Sequence, residues 1–438
     1  MPRIRITESD LTTNKSDFAR EITVYVPYIS STATVCVKLY EAAAAFKADY
    51  FKTETSDTEA TSSDTETTTA LDSRHYALAL LEHGCKVLFD VMTAMPEDSE
   101  AEKGFTEHVS LLSNKNSYDI DFLIPGIDSV NCHALNKMLA LIAASRKDCV
   151  ALLDPVEYDK KVDGADTTVK IEKAKDAVGY FDDLFSAMST SGISSDDDSA
   201  MSMKEDPAQI DKYCASAWAP VKADIVIDNV AYSGKILPGS FGQIMAIAES
   251  VNDGNSIWLA PAGVYRGVMP FDDIKTTVDL SDADVDVMQT RSKANHSVNP
   301  IQNIRGWGVR IWGDRTLYKP TGDKAKDGLT DYLYASSFLT VRILSNKVKK
   351  AVWDISKKYT FEQNTDVLWI NFKAEIRKVL EEMKNNSGVS GYKIERKSTD
   401  ERAKLGCKIK IVPILPVEDF SIGIELNDSG DVEITEEE

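Results

Sequence analysis

The sequence is poor in the residues from which catalytic and metal sites are most often built. Its five histidines include no H-x-x-x-H or H-x-x-E arrangement, so no histidine metal site is indicated. Its six cysteines are scattered without a C-x-x-C pair, which predicts buried, reduced thiols. No complete phosphate loop, dinucleotide fingerprint or nucleophile elbow is present, and Ser240 is interpreted as a turn residue. We therefore expect no enzymatic activity, no metal and no cofactor.

Long apolar runs and an excess of positive charge are also missing. No uncharged apolar run approaches the roughly 20 residues that span a bilayer. The first residues lack the apolar segment of a secretory signal, so we expect assembly in a cytoplasm and no membrane insertion. The formal net charge of −20 argues against direct nucleic-acid binding. Two interpretations of this charge stay open, namely solubility at high concentration and charge matching to a protein partner.

The sequence that is present indicates an α/β protein of several domains. With 438 residues, 43% of them hydrophobic, the chain is expected to form two or three domains. Helix and strand patterns alternate from residue 73 to 155, which predicts a mostly parallel sheet. Strands are predicted at Lys86–Met92, Asp119–Ile124, Val150–Leu153 and Tyr334–Thr340. Helices are predicted around His133–Ser145, Ile171–Leu184, Leu344–Tyr359 and Thr365–Asn385.

Composition shifts suggest four divisions of the chain. An arm over residues 1–20 precedes an α/β domain over 21–330, which contains a solvated loop at 52–70 and an enlarged region at 156–210. An α+β domain follows over 331–416, and a C-terminal arm with an acidic tail covers 417–438. The acidic triplet Asp196–Asp198 is interpreted as an exposed loop, because it lacks the ordered spacing and glycine turn of a cation site.

Four motifs follow one another in the second half of the chain. A strand at Tyr213–Ala219 leads to a turn and an alanine-rich helix at Ile236–Glu249, and a W-x-A-P-A-G turn comes next. A third motif has the form N-P-I, then G-x-G, then W-G-x-R-T-L, and a helix, an asparagine turn and a tryptophan complete the series. The residues that carry the last three motifs are Trp258, Pro261, Gly263, Asn299, Pro300, Gly306, Gly308, Trp312, Gly313, Arg315, Thr316, Leu317, Asn364 and Trp369.

In order and spacing these motifs resemble the contractile phage tail sheath family over roughly residues 212–426. The resemblance implies a structural subunit that forms stacked hexameric rings around a tail tube. Contraction of such a sheath drives the tube through the bacterial envelope for genome ejection. The implied partners are further copies of the chain, the tail tube protein, and the baseplate and tail terminator proteins. The implied location is a virion, in the sheath of the phage tail.

Two alternatives to a phage tail are considered. The first is the sheath of a bacterial contractile injection system, used for secretion or found in a phage-tail-like particle. The second, from another class, is a hydrolase or polysaccharide-binding tail protein. That class needs a carboxylate-lined cleft, which the scattered acidic residues do not indicate.

The motif residues are expected to build a core rather than a reactive site. Glycines at 306, 308 and 313 would allow special backbone conformations and close packing beside Trp307 and Trp312. Arg315 is expected to pair with a carboxylate or with carbonyl oxygens near the domain junction.

The resemblance also implies that both arms cross to neighbouring subunits and complete the sheet of their C-terminal domains. The short alternating patterns at the two ends suit strand addition. Four buried apolar side chains would contribute about 1.5–3 kcal/mol each. Fixing seven backbone residues costs about 1–2 kcal/mol each, so one arm alone is near break-even. Whether the acidic tail pairs with the basic N-terminal arm or is only solvated stays open. The arm residues are Arg3, Ile4, Arg5 and Ile6 at one end and Phe420, Ile422, Ile424 and Leu426 at the other.

A basic edge on the last predicted helix is a candidate tube contact. Lys373, Arg377 and Lys384 lie away from its predicted apolar face. The resemblance places the C-terminal domain nearest the tube, so this edge is expected to face an acidic patch there. An ordinary solvated helix face is the alternative.

Overall fold

A mostly parallel six-stranded sheet organises the first part of the computed structural model. The structure describes residues 19–31, 34–51, 71–93, 109–126, 132–162, 165–190, 210–289, 296–319, 337–397 and 405–417. The strand order is β2-β3-β1-β4-β5-β8, and only the edge strand β2 runs antiparallel to its neighbour. This sheet confirms the predicted α/β class with a mostly parallel sheet. The strands are β1 (Thr23–Ile29), β2 (Cys36–Tyr40), β3 (Lys86–Met92), β4 (Phe122–Leu123), β5 (Val150–Leu152) and β8 (Cys214–Ala215).

Helices cover both faces of the sheet and divide its side chains between two cores. Along β1, Val24 and Val26 enter one core and Tyr25 the other, as strand alternation requires. The first face is covered by α2 (Ser73–Glu82) and α5 (Gly239–Asn252), and the second by α3 (Cys132–Arg146) and α4 (Ala174–Thr190). The near-continuous apolar runs of β1 and β3 follow from burial on both sides.

Smaller elements surround this sheet. Two three-stranded sheets have the orders β11-β10-β12 and β14-β13-β9, and β6 pairs with β7. Among the described residues, no helix is long and apolar enough to cross a membrane. The remaining elements here are α1 (Ala43–Tyr50), β6 (Tyr158–Val162), β7 (Ala165–Val169), a 3-10 turn (Asp211–Tyr213), β9 (Ala217–Trp218), β10 (Val221–Ile227), β11 (Val230–Leu237), α6 (Gly263–Arg266), β12 (Asp272–Thr276), α7 (Asp282–Met288), β13 (Asn299–Ile304) and β14 (Gly308–Ile311).

The C-terminal part consists of two long helices and a hairpin. Helices α8 (Leu339–Tyr359) and α9 (Asp366–Asn385) precede the antiparallel strands β15 (Val389–Lys397) and β16 (Gly406–Pro413). Leu344 of α8 and Phe372 of α9 belong to the same apolar core as the first face of the sheet. The domain boundaries at 20, 330 and 416 stay predictions.

Two strand predictions need correction. The predicted strand at Tyr334–Thr340 is wrong from residue 339 onward, because α8 begins at Leu339, and residues 334–336 lie outside the described part of the chain. The predicted strand at Asp119–Ile124 shrinks to Phe122–Leu123. Asp119 is largely exposed, and the Asp121 carboxylate accepts a hydrogen bond from the backbone N of Thr23 at 3.0 Å.

Ser240 is not a turn residue but lies in the first turn of α5. Pro238 precedes the helix in extended conformation, and Ser240 is buried. The carboxylate of Asp154 accepts hydrogen bonds from the backbone N and the hydroxyl of Ser240, the first at 2.7 Å. Asp154 therefore caps α5 from the end of a neighbouring strand.

Candidate functional site: the domain junction and the C-terminal hairpin

Asn299 ties the third motif to the sheet through three side-chain hydrogen bonds. Its Nδ2 donates to the carbonyl oxygens of Ser216 and Arg315 at 3.0 and 2.8 Å, and its Oδ1 accepts from the backbone N of Arg315 at 2.7 Å. A Cβ on Gly313 would lie 2.7 Å from Oδ1 of Asn299, so only glycine fits beside this amide. Asn299, Gly313 and Arg315 are buried.

Asp314, within the third motif, caps the start of α8 although it lies 26 residues before Thr340 in the sequence. Its side chain accepts hydrogen bonds from the backbone N of Thr340, at 3.2 Å, and from the Thr340 hydroxyl. Its carbonyl oxygen accepts from the backbone N of Leu339 at 3.0 Å. Phe338, the residue at the N-cap, has no capping side chain of its own. Asp314 therefore supplies the acceptors that the first turn of a helix needs.

Arg315 lies against the start of the same helix. Its guanidinium carbon is 4.3 Å from the centre of the Phe338 ring, and the two residues form an isolated antiparallel bridge. The motif thus joins the central sheet to the C-terminal helices.

Trp258 makes a second connection between the two parts. It is 1% exposed, and its indole N donates to the carbonyl oxygen of Asn386 at 3.1 Å, directly after α9. A Cβ on Gly388 would lie 2.8 Å from this indole nitrogen. Glycine at 388 therefore allows the turn between α9 and β15 to pack on the tryptophan.

A buried ion-pair network makes the third connection, and no sequence motif indicated it. Asp121, beside β4, lies 3.0 Å from Nζ of Lys347 and 2.6 Å from Nζ of Lys350, both on α8. Lys347 also donates to the carbonyl oxygen of Glu21 at 2.9 Å. The signal in the sequence was a lysine, Lys347, between the apolar positions Leu344 and Val348 of the helix.

Two tryptophans of the motif region do not build the core, which corrects the prediction. Trp307 is 47% exposed and Trp312 is 38% exposed. Trp307 lies in the turn between β13 and β14, where Gly306 and Gly308 have φ of 82° and 77°, and it packs edge-on against the exposed ring of Tyr265. The glycines therefore form a turn that presents an aromatic side chain to solvent. Asn364 is exposed and Trp369 is half-buried.

The C-terminal hairpin has the geometry of an incomplete sheet. It contains two strands among the described residues, and one face packs on α9. Cys407, Ile409 and Ile411 on that face are only partly buried, and Val412 beside them is 58% exposed. Among the described residues, the outer edges of β15 and β16 pair with no further strand.

The remaining predicted site residues fall into two groups. All eight arm residues, in 1–18 and 418–438, lie outside the described part of the chain, and so do the loop at 52–70 and the triplet Asp196–Asp198. On α9, Lys373, Arg377 and Lys384 are exposed, and Phe372, Ile376, Leu380 and Met383 form its buried face.

The six cysteines are free thiols, four of them buried. No cluster of potential metal ligands occurs in the described ranges.

Comparison with known proteins finds one curated relative. No family profile matches the chain. Over 153 residues the chain is 27% identical to the tail sheath protein of Vibrio phage KVP40. The chain is a distant, partial homologue of a tail sheath protein. The match covers 35% of this chain but only 20% of the phage protein. The expectation of a structural, non-enzymatic protein agrees with this homology.

Solved structures share the fold over nearly the whole chain. A chain from the sheath complex of PVC, an extracellular contractile injection system, in the contracted state has a TM-score of 0.55 at 14% identity and covers 98% of both chains. A chain from the contracted baseplate of the anti-feeding prophage has a TM-score of 0.55 at 15% identity, covering 98% of this chain and 99% of that one. A third, from the six-fold symmetrised baseplate of the same particle, has a TM-score of 0.56 at 13% identity and covers 93% and 94%.

Proposed function

We propose that this chain is a subunit of a contractile sheath that assembles with copies of itself around an inner tube. The observation that carries the proposal is the fold match over 98% of both chains to a subunit of a contracted sheath complex. The homology to a tail sheath protein supports it independently from the sequence. Stacked hexameric rings, contact with a baseplate and a contraction that drives the tube forward are parts of the same proposal.

The machine is proposed to be a contractile injection system rather than a phage tail. Chains from two injection-type particles match almost end to end, whereas the phage relative matches over a fifth of its length. The expected phage tail with genome ejection has the weaker support and stays the second candidate. Neighbouring genes separate the two: an unfoldase ATPase would favour the injection system, and capsid and terminase genes would favour the phage.

The C-terminal hairpin gives the assembly a physical basis. Its free edges and half-buried face gain hydrogen bonds and apolar burial when strands from neighbours are added. A single added strand is near break-even, as estimated above from burial and chain entropy. Several strands engaged at once act at high effective concentration and hold a lattice together.

Electron microscopy of the concentrated, purified chain tests the proposal. We expect rings or hollow tubes, with the fraction assembled rising with protein concentration. Persistence as a monomer at every salt and crowding condition, with both termini intact, would contradict a sheath function.

A further inference from the structure

Three cationic groups surround the ring of Tyr213 where the central sheet meets α8. The guanidinium carbon of Arg342 lies 4.7 Å from the ring centre, and Nζ of Lys212 and of Lys349 lie 5.2 and 5.4 Å from it. The 3-10 turn before β8 supplies Lys212, and α8 supplies the other two. Cation–π contact with one ring offsets only part of the cost of bringing three charges together.

The guanidinium of Arg342 makes no close contact with a carboxylate of the described residues. Arg342 is 8% exposed, its side chain forms no hydrogen bond or ion pair with the described residues, and its Nε is buried without an acceptor. Asp148, whose charge acts on Lys349, pairs with Arg146 at 3.0 Å. The charge of Asp211 acts on Arg342, but Asp211 makes no hydrogen bond to it: one oxygen accepts from the backbone N of Lys319 at 2.8 Å, and the other is buried without a hydrogen bond. A buried guanidinium without an acceptor is costly, so this arrangement calls for an anion.

The pKa of Lys349 is affected by the same excess of positive charge. Burial, together with the charges of Arg342, Lys115 and Lys212, lowers the pKa of Lys349 to about 7, while the carboxylate of Asp148 acts in the opposite direction. Its Nζ donates to a neutral acceptor, the carbonyl oxygen of Lys147, at 2.6 Å. An ammonium group in this position would be stabilised by a carboxylate or phosphate oxygen.

We propose that Lys212, Arg342 and Lys349 around Tyr213, the Tyr213 cation cluster, bind a carboxylate side chain of a neighbouring copy of this chain. Lys212 and Lys349 are partly exposed, so the ligand enters from solvent, and buried Arg342 and Tyr213 form the floor. A second copy fits because each chain carries 70 acidic residues and a net charge of −20. This inference rests on the proposed sheath assembly.

The first experiment tests the site in the unassembled full-length chain, with inorganic phosphate as the probe. Amine acetylation across pH, read by mass spectrometry, gives a labelling midpoint for each lysine. We expect the Lys349 midpoint near its pKa of about 7, and an upward shift of at least about half a pH unit with phosphate. Lys275, an exposed lysine paired with Asp273, is the matched control and should not shift.

Two variants keep this experiment decisive. Arg342→Met should abolish the phosphate shift and raise the urea midpoint of unfolding, because it replaces a buried unpaired charge by an apolar side chain. Lys212→Met, at a partly exposed position, should reduce the shift without affecting the fold. An unchanged Lys349 midpoint with phosphate in the wild-type chain would overturn the site and leave Asp211 as the counter-charge of Arg342.

The second experiment identifies the occupant in assembled tubes. Tubes grown from mixed isotopically light and heavy copies are treated with a carbodiimide, which joins an amine to a carboxylate in direct contact. We expect Lys349 or Lys212 linked to an Asp or Glu of another copy. A link only within one copy, or a phosphate shift without any link, would overturn the neighbouring carboxylate. If no tubes form, the proposed function fails, whereas the phosphate experiment still judges the cluster separately.

Discussion

At the residue scale, Asp121 joins the sheet to the C-terminal helices through both carboxylate oxygens. Oδ2 accepts from the backbone N of Thr23, and Oδ1 lies within 3.0 Å of Nζ of both Lys347 and Lys350. Burial opposes ionisation, but the two lysine charges outweigh it and hold the pKa of Asp121 well below its usual range. Such a carboxyl contributes stability above its unfolded pKa of ~3.9, and this contribution is lost as pH falls through the folded pKa.

Asp121→Asn should therefore lower the free energy of unfolding by about 3–5 kcal/mol at neutral pH, because it leaves Lys347 buried without a carboxylate. The difference from wild type should narrow as pH falls below ~4. Asp119 is the matched control. It also lies 2.6 Å from Nζ of Lys350 but is 71% exposed, so Asp119→Asn should cost less than about 1 kcal/mol. Urea titrations over this pH range measure both, and a difference that does not change with pH would contradict the role of Asp121.

Asp314 gives a second prediction at this scale. Asp314→Ala removes the acceptors for the Thr340 backbone N and hydroxyl and should destabilise the protein by about 1–2 kcal/mol. Asp366, in the first turn of α9, is 90% exposed and pairs with Arg396. Asp366→Ala should change stability by less than about 1 kcal/mol. Equal urea midpoints for the two variants would show that Asp314 does not cap α8.

At the scale of elements, local pattern predicts most of the fold but not where distant residues intervene. Helical spacing predicts one apolar face for α9, formed by Trp369, Phe372, Ile376, Val379 and Met383. In the structure Phe372, Ile376 and Met383 are buried, and Trp369 and Val379 are half-buried against the same core. The start of α8 escapes prediction because its capping carboxylate, Asp314, lies 26 residues before Thr340. The exposure of Trp307 escapes as well, because a tryptophan between two glycines looks the same whether its turn is covered or open to solvent.

The exposed face of α9 carries the candidate tube contact. The double reversal of Lys373 and Arg377 to Glu should weaken association of the sheath with its tube, if this edge meets an acidic patch there. The fold should be spared because both side chains are exposed. Lys357→Glu, on the exposed last turn of α8, is the control variant. Co-sedimentation with the tube measures the effect, and equal binding by all three proteins would leave an ordinary solvated face.

At the scale of the whole molecule, the chain combines well-packed cores with a C-terminal hairpin that pairs with no further strand among the described residues. The two cores and the three junction contacts hold the central sheet and the C-terminal helices together within one subunit. The hairpin β15–β16 instead leaves Ile409 and Ile411 half-buried. The motifs that resemble the tail sheath family lie at this junction, where packing restricts the choice of residue. The proposed contacts between copies would have no such local signature, since half of each contact belongs to another chain.

The N-terminal segment should be one of the links between copies. Deleting Pro2–Thr7 is expected to stop tube formation and leave a folded, soluble monomer, because none of the buried core residues described above is removed. Replacing Arg3 and Arg5 by Glu should weaken assembly at low salt and matter less at high salt, where surface pairs are screened. Opposite charges on paired strands contribute about 0.2–1 kcal/mol each, a small term repeated at every contact of a lattice.

Electron microscopy and sedimentation measure tubes and monomer, and circular dichroism checks the fold. Normal tubes from the deletion variant would show that this segment is not a link. Loss of tubes in the deletion alone, with the charge swap silent, would show that the strands pair without electrostatic help.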